Sequence, residues 1–144
     1  MHQTLTGVIG RHPGNRQKMA LVKGGGGKVA ITQLSVERVW RLLSGHLVLS
    51  LLDCKLETGR THQIRVHCHS IQCPLVGDTL YGKPQYHRKK GLPVEVQEFS
   101  RQALHAYQLS FVHPTTRELC TFSCPYPADM QAMIDALDLE AKNG

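Results

Sequence analysis

The chain has 144 residues, 41% of them apolar, which suits one domain with a real core and is too apolar for a disordered segment. No window approaches the ~18 uncharged apolar residues of a membrane-spanning helix, and Met1-His2-Gln3-Thr4 opens no secretory signal, so a cytoplasmic protein with no membrane partner is expected. The net charge of +6 is unevenly spread: residues 1–50 hold seven Lys/Arg against one acid, residues 51–100 seven against five, and residues 101–144 three against five, a basic front that suits a polyanion.

In chain order, Met19–Val22 and Val29–Leu34 are apolar stretches on either side of Gly24–Gly27. Lys28 follows, but the GxxxxGK[ST] spacing is absent, so the glycines read as a flexible hairpin loop and not as a phosphate cradle. Val29 to Trp40 and then Leu47–Leu56 read as two long strands joined near Ser44-Gly45, with Trp40 in the packing. After Gly59 the pattern turns helical: Ile64, Cys68 and Ile71 recur at i, i+4, i+7, the stripe of a short helix capped by Thr61 and ending before Pro74. Leu75–Gly82 is turn-rich, and Lys83–Val94, with His87-Arg88-Lys89-Lys90, reads as a loop. Ala103–His113 and Glu118–Cys124 read as a strand pair across Pro114-Thr115-Thr116, which puts His105 in an alternating strand. Asp129 to Leu137 closes as a helix with Met130, Met133, Ile134 and Leu137 on one face. The result is an α+β chain on an antiparallel or mixed sheet.

The run Leu56–His67 carries the chemistry. A helix opening at Thr61 presents free backbone N–H groups beside Arg60 and His62, a natural anion site. His62, Arg65 and His69 share its polar face, and because an unpaired buried charge is costly, Arg65 is expected to meet a carboxylate or a phosphate. Cys54, Cys68, Cys73, Cys120 and Cys124 form an odd set without a CxxC pair, read as reduced, mostly buried thiols, the last two on one strand face. His62, His67, His69, Cys68 and Cys73 supply ligand-type atoms, but Cys68 and His62 fall on different helix faces and no HExxH occurs, so no metal is expected.

The run Glu57–His67 (ETGRTHQIRVH), with Pro74–Gly82 (PLVGDTLYG) and Arg101–Pro114 (RQALHAYQLSFVHP), resembles the RluA/RluD-type RNA pseudouridine synthases. So do Arg11-His12-Pro13 with Arg16 and Lys18-Met19, and Pro125–Met130, all in the family's order and about its spacing. The resemblance implies the C-terminal part, residues 1–144, of a catalytic domain: a mixed or antiparallel sheet with flanking helices, present as an incomplete half. It implies an isomerase that converts uridine to pseudouridine in RNA, large-subunit ribosomal RNA above all, without metal or organic cofactor. Arg65 matches the arginine that ion-pairs with the catalytic aspartate. Arg60, Thr61, His62, Gln63 and Ile64 match the block lining the cleft and its RNA approach, and Arg11, Arg16 and Lys18 suit phosphate contacts. The family's nucleophile lies in an HRLD-type motif upstream of these blocks, and no such motif occurs here; the five aspartates are Asp53, Asp78, Asp129, Asp135 and Asp138. The chain alone is therefore expected to be inactive, completed by an upstream half or a partner chain; the alternative is a non-catalytic RNA-binding module of the same descent.

Overall fold

The computed structural model describes residues 1–42, 47–83 and 90–143. The Ser44-Gly45 junction and His87, Arg88 and Lys89 lie outside them. Four strands, β1 (His2–Arg11), β2 (Met19–Leu21), β3 (Gly27–Leu42) and β4 (Leu47–Leu56), make one antiparallel sheet in the order β2-β1-β3-β4. The helix α1 (Gln63–Ser70) follows β4, and the short α2 (Val94–Gln97) precedes a separate hairpin of β5 (Gln108–Val112) and β6 (Leu119–Ser123). A closing helix, α3 (Ala128–Asn143), completes the α+β chain.

β3 and β4 stand where alternation placed them, but β1 is an added strand. Of its residues only Leu5, Ile9 and Gly10 are buried, so its sequence of polar residues and glycines gives almost no apolar period to read. β1 also corrects the reading of the glycine tetrad. β2 and β3 do not pair with each other; each pairs with β1 from opposite sides. Gly24, Gly25 and Gly26, with φ of 85, 104 and 83°, carry the chain across the end of β1 in conformations that side chains resist.

Sixteen residues long, β3 serves two cores because it bulges. Val36 faces Leu52 and Arg38 faces Leu51, so Glu37 is an extra residue, and one extra residue in a period-two strand moves every later side chain to the other face. Before the bulge, Ala30 joins Ile9, Val66 and Tyr81 in a small cluster under α1. After it, Trp40 and Leu42, with their cross-strand partners Leu49 and Leu47, join the larger core of Leu92, Val96, Phe99, Met130, Met133, Ile134 and Leu137. The α3 stripe is thus buried as its period predicts, at 3 to 7% exposure. Asp138 locks α3 to the sheet by accepting the Trp40 indole N–H at 2.7 Å and pairing with Arg38.

The hairpin strands are shorter than their apolar pattern. β5 begins at Gln108, so His105 lies ahead of the strand, and β6 ends at Ser123, so Cys124 lies beyond it and is exposed, as is Cys73. Only Cys68 is fully buried. Burial pushes its thiol up to about 12 and that of Cys54 to about 11, which leaves both as unreactive thiols.

Candidate functional site

The site is assembled where α1, the turn after it and the β1–β2 hairpin loop meet. Helix α1 begins differently from expectation. Thr61 is exposed and does not cap it; the N-cap is His62, in the left-handed conformation (φ 57°, ψ 21°), with no side-chain cap bond. The Gln63 N–H is taken by the Arg60 carbonyl at 3.0 Å, which removes one donor from the proposed anion site. Gln63 itself is a correction. It is 3% exposed and its amide is fully engaged: Nε2 donates to the Ile31 carbonyl (3.0 Å) and Thr32 Oγ1 (2.9 Å), while Oε1 accepts from the Arg60 N–H (3.0 Å) and Thr58 Oγ1 (2.8 Å). It braces the Gly59 turn against β3 and has no group left for RNA.

The buried face of α1 is accordingly Gln63, Val66, His67 and Cys68, with Ile64 and Ile71 only half-buried. Polar residues turn inward because Thr32, itself fully buried on β3, offers them a hydroxyl; His67 Nδ1 lies 2.8 Å from it. Burial holds the His67 imidazole below its ordinary pKa, and its Nε2 is buried with no partner among the described residues. His67 points to Thr32 whereas His62 and His69 lie against Tyr81, so these imidazoles do not converge as ligands.

Arg65 meets a carboxylate, that of Asp78. Its Nε donates to Oδ2 at 2.7 Å and its Nη2 to Oδ1 at 2.9 Å, with the two side chains 12 and 0% exposed. Asp78 Oδ1 also accepts the Leu80 and Tyr81 N–H groups, each at 3.0 Å. Burial alone would push the Asp78 carboxyl up; the guanidinium and these two amides outweigh it and hold the carboxyl below its usual range. The hydrogen bonds that Arg65 donates to Asp78 likewise raise the arginine, which stays charged. The turn that delivers Asp78 depends on Gly77 at φ 73°, where a Cβ would run into the Arg101 carbonyl oxygen.

Tyr81, 5% exposed, is the centre of the cluster. Its hydroxyl receives the Met19 N–H at 2.7 Å and lies 2.9 Å from His62 Nδ1. The Arg65 guanidinium carbon sits 5.0 Å from the ring centroid and Lys18 Nζ 6.0 Å, both within cation–π range. Arg11, the last residue of β1, and Arg16, on the hairpin loop, are exposed, and Arg11 Nη1 donates to the Arg16 carbonyl at 3.2 Å. Arg60 lies apart, its Nε tied to the Val29 carbonyl at 2.9 Å. A groove of about 230 Å³ beside Tyr81 includes His12, Lys18, Met19, His69 and Ser70 in its walls. Asp78 and Tyr81 are the two central residues that sequence reasoning passed over as members of a turn. The available signal was the Gly77-Asp78-x-x-Tyr81 spacing, which lets a carboxylate accept amides two and three residues on, combined with an arginine in need of an acid.

No family model matches the chain. Among curated proteins it is 46% identical over 134 residues to the ribosomal large subunit pseudouridine synthase D of Neisseria meningitidis, covering 92% of this chain and 34% of that protein. It is 40% identical over 148 residues to the protein of the same name from Zymomonas mobilis, covering 99% of this chain and 44% of that one. Among solved structures, the human RNA pseudouridylate synthase domain containing 1 superposes with a TM-score of 0.67 at 30% identity, over 94% of this chain and 52% of that one. The chain thus spans between about a third and 44% of the length of these curated relatives. On its sequence over nearly every residue and on its fold, it belongs to the RNA pseudouridine synthases.

Proposed function

We propose that residues 1–144 are the C-terminal part of a pseudouridine synthase catalytic domain, and that the complete protein isomerises uridine to pseudouridine in large-subunit ribosomal RNA in the cytoplasm. What supports it most is the state of Arg65. Asp78 occupies the Nε and Nη2 edge of the guanidinium, and Nη1 has no partner among the described residues. A planar fork with one edge anchored and another open suits a second carboxylate, the nucleophilic aspartate that the family carries in its HRLD-type motif. Held beside a fixed cation, that carboxylate stays ionised and aimed at the flipped-out nucleotide. Asp78 does not take the nucleophile's part: its side chain is fully buried and both oxygens are engaged.

The polar residues His62, Arg11, Arg16, Lys18 and Thr61, and Arg60 at a distance from them, are assigned to RNA, and Ile64 to the wall of the cleft. No metal or organic cofactor enters the scheme. No helix among the described residues is long and apolar enough to cross a membrane.

Ribosomal RNA incubated with the 144-residue chain, followed by detection of pseudouridine, tests the reading. The chain alone makes none, and adding the upstream half, fused or as a partner chain, restores turnover only if that half carries the aspartate. Robust turnover by the chain alone would show that the aspartate assignment is wrong. A failure of every complemented form, with RNA binding intact, would favour the non-catalytic RNA-binding module.

A further inference from the structure

Two groups meet one hydroxyl in the middle of the site, and counting the protons bears on the chemistry of His62. Tyr81 Oη lies 2.7 Å from the Met19 nitrogen and 2.9 Å from His62 Nδ1. The Met19 amide can only donate, so Tyr81 accepts there. If His62 Nδ1 also carried a proton, the hydroxyl would accept twice and its own proton, on a side chain 5% exposed, would have no acceptor among the described residues. The arrangement that leaves nothing orphaned has Tyr81 donating to an unprotonated Nδ1, and the proton of the neutral ring then resides on Nε2.

The ring is held for this purpose. His62 takes a left-handed backbone conformation that non-glycine residues adopt at a cost, and its ring meets the Tyr81 ring edge-on, 5.6 Å between centroids. Among the described residues its Nε2 has no hydrogen-bond partner and is not one of the buried unpartnered atoms, which leaves it open toward solvent. Arg65 and Arg11 are both close enough to disfavour a further positive charge on the ring, adding to the effect of burial.

We propose that Tyr81 is a positioning residue that fixes His62 as a neutral Nε2–H donor, and that this donor, packed with the Arg65 guanidinium against the Tyr81 ring, binds a phosphate oxygen of the RNA backbone. The second half rests on the RNA reading above; the first does not. A single directional donor in a site whose nearby side chains include the Arg65 and Lys18 cations favours an acceptor oxygen that is itself anionic, which a phosphodiester supplies and a base edge does not.

The isolated chain suffices for the test. Long-range proton–nitrogen spectra of histidine-labelled protein are expected to show His62 as one tautomer, Nε2 protonated and Nδ1 bare. Tyr81→Phe, which keeps the ring and loses the hydroxyl, is expected to give a tautomer mixture. A protonated Nδ1 in the wild type, or an unchanged single tautomer in Tyr81→Phe, overturns the lock. For the ligand, binding of a uridine-containing RNA stem-loop is compared in His62→Ala and His62→Gln, which share the backbone cost while only glutamine keeps an N–H at similar reach. Alanine is expected to weaken binding roughly tenfold, the worth of one hydrogen bond to a charged group, and glutamine to recover most of it. Equal binding by wild type and both variants, with folding verified by their amide spectra, overturns the phosphate contact alone. Absence of RNA binding by the wild type overturns the RNA reading, and the tautomer result then stands separately.

Discussion

Replacing Asp78 by alanine strands a charge. Arg65 is 12% exposed and has no other carboxylate among the described residues, while the Asp78 side chain has no exposure at all. Breaking a buried pair from one side costs ~3–5 kcal/mol, and the small opening at Arg65 argues for the lower end, ~3 kcal/mol. Two backbone donors, the Leu80 and Tyr81 amides, lose their acceptor as well, ~1 kcal/mol or more apiece if water does not replace it. A loss of ~5 kcal/mol is a large share of the ~5–15 kcal/mol that holds a domain together, and corresponds to a fall in Tm of roughly 10 °C or more. Asp78→Asn separates the two contributions, because its carbonyl can still accept the amides; ~2–3 kcal/mol is expected from lost charge alone. Adding Arg65→Met to Asp78→Asn removes the orphaned cation, so the double variant should be more stable than Asp78→Asn by itself. Urea denaturation of the four proteins as a double-mutant cycle measures this. If Asp78→Ala lies within ~0.5 kcal/mol of the wild type, or if the two changes simply add, the pair does not hold the site together and the reasoning fails.

Stability should fall with acid in two steps. His67 and His62 are held below their ordinary 6.5 by burial, so as pH drops through 6.5 the unfolded chain takes up protons first and the fold loses ground. Asp78, held below 3.8, contributes stability that is present above 3.8 and is lost as pH falls below it. A thermal midpoint that stays flat or rises between pH 7 and 5.5 would refute the first step. Met133→Ala, at a position 5% exposed in the larger core, should cost ~2–5 kcal/mol by chemical denaturation, whereas Arg16→Ala on the exposed loop should leave stability unchanged. RNA affinity should fall with salt, and removing Arg11, Arg16 and Lys18 together should flatten the log–log slope by ~2–3, at roughly 0.7–0.9 per phosphate contact. In a completed enzyme, Arg65→Met should abolish most turnover while changing RNA affinity little, as measured by single-turnover assay beside filter binding.

The elements legible in the sequence are those whose burial follows a local period. β3, β4 and α3 repeat apolar residues at two- or 3.6-residue spacing, and a neighbourhood of a dozen residues contains all the information needed to place them. The motif residues of α1 and the turn after it were legible as chemistry, since a cation on a half-buried helix must find an acid. Tertiary structure decided which acid. Asp78 is thirteen residues from Arg65, and it becomes a partner only because Gly77 turns the chain beneath α1. The same holds for Gln63 and His67: both are polar by composition and both are interior, because Thr32, more than thirty residues earlier, meets them across the sheet. β1 escaped notice for the complementary reason, since its place is set by hydrogen bonds to strands on either side and not by an apolar face of its own. One extra residue, Glu37, determines that Trp40 and Thr32 look to opposite sides of a single strand, a parity that pairing with β4 reveals and the one-dimensional pattern, even-numbered at both places, conceals. Periodicity reports how a segment divides inside from outside; which groups satisfy one another inside is fixed by pairings between residues far apart along the chain.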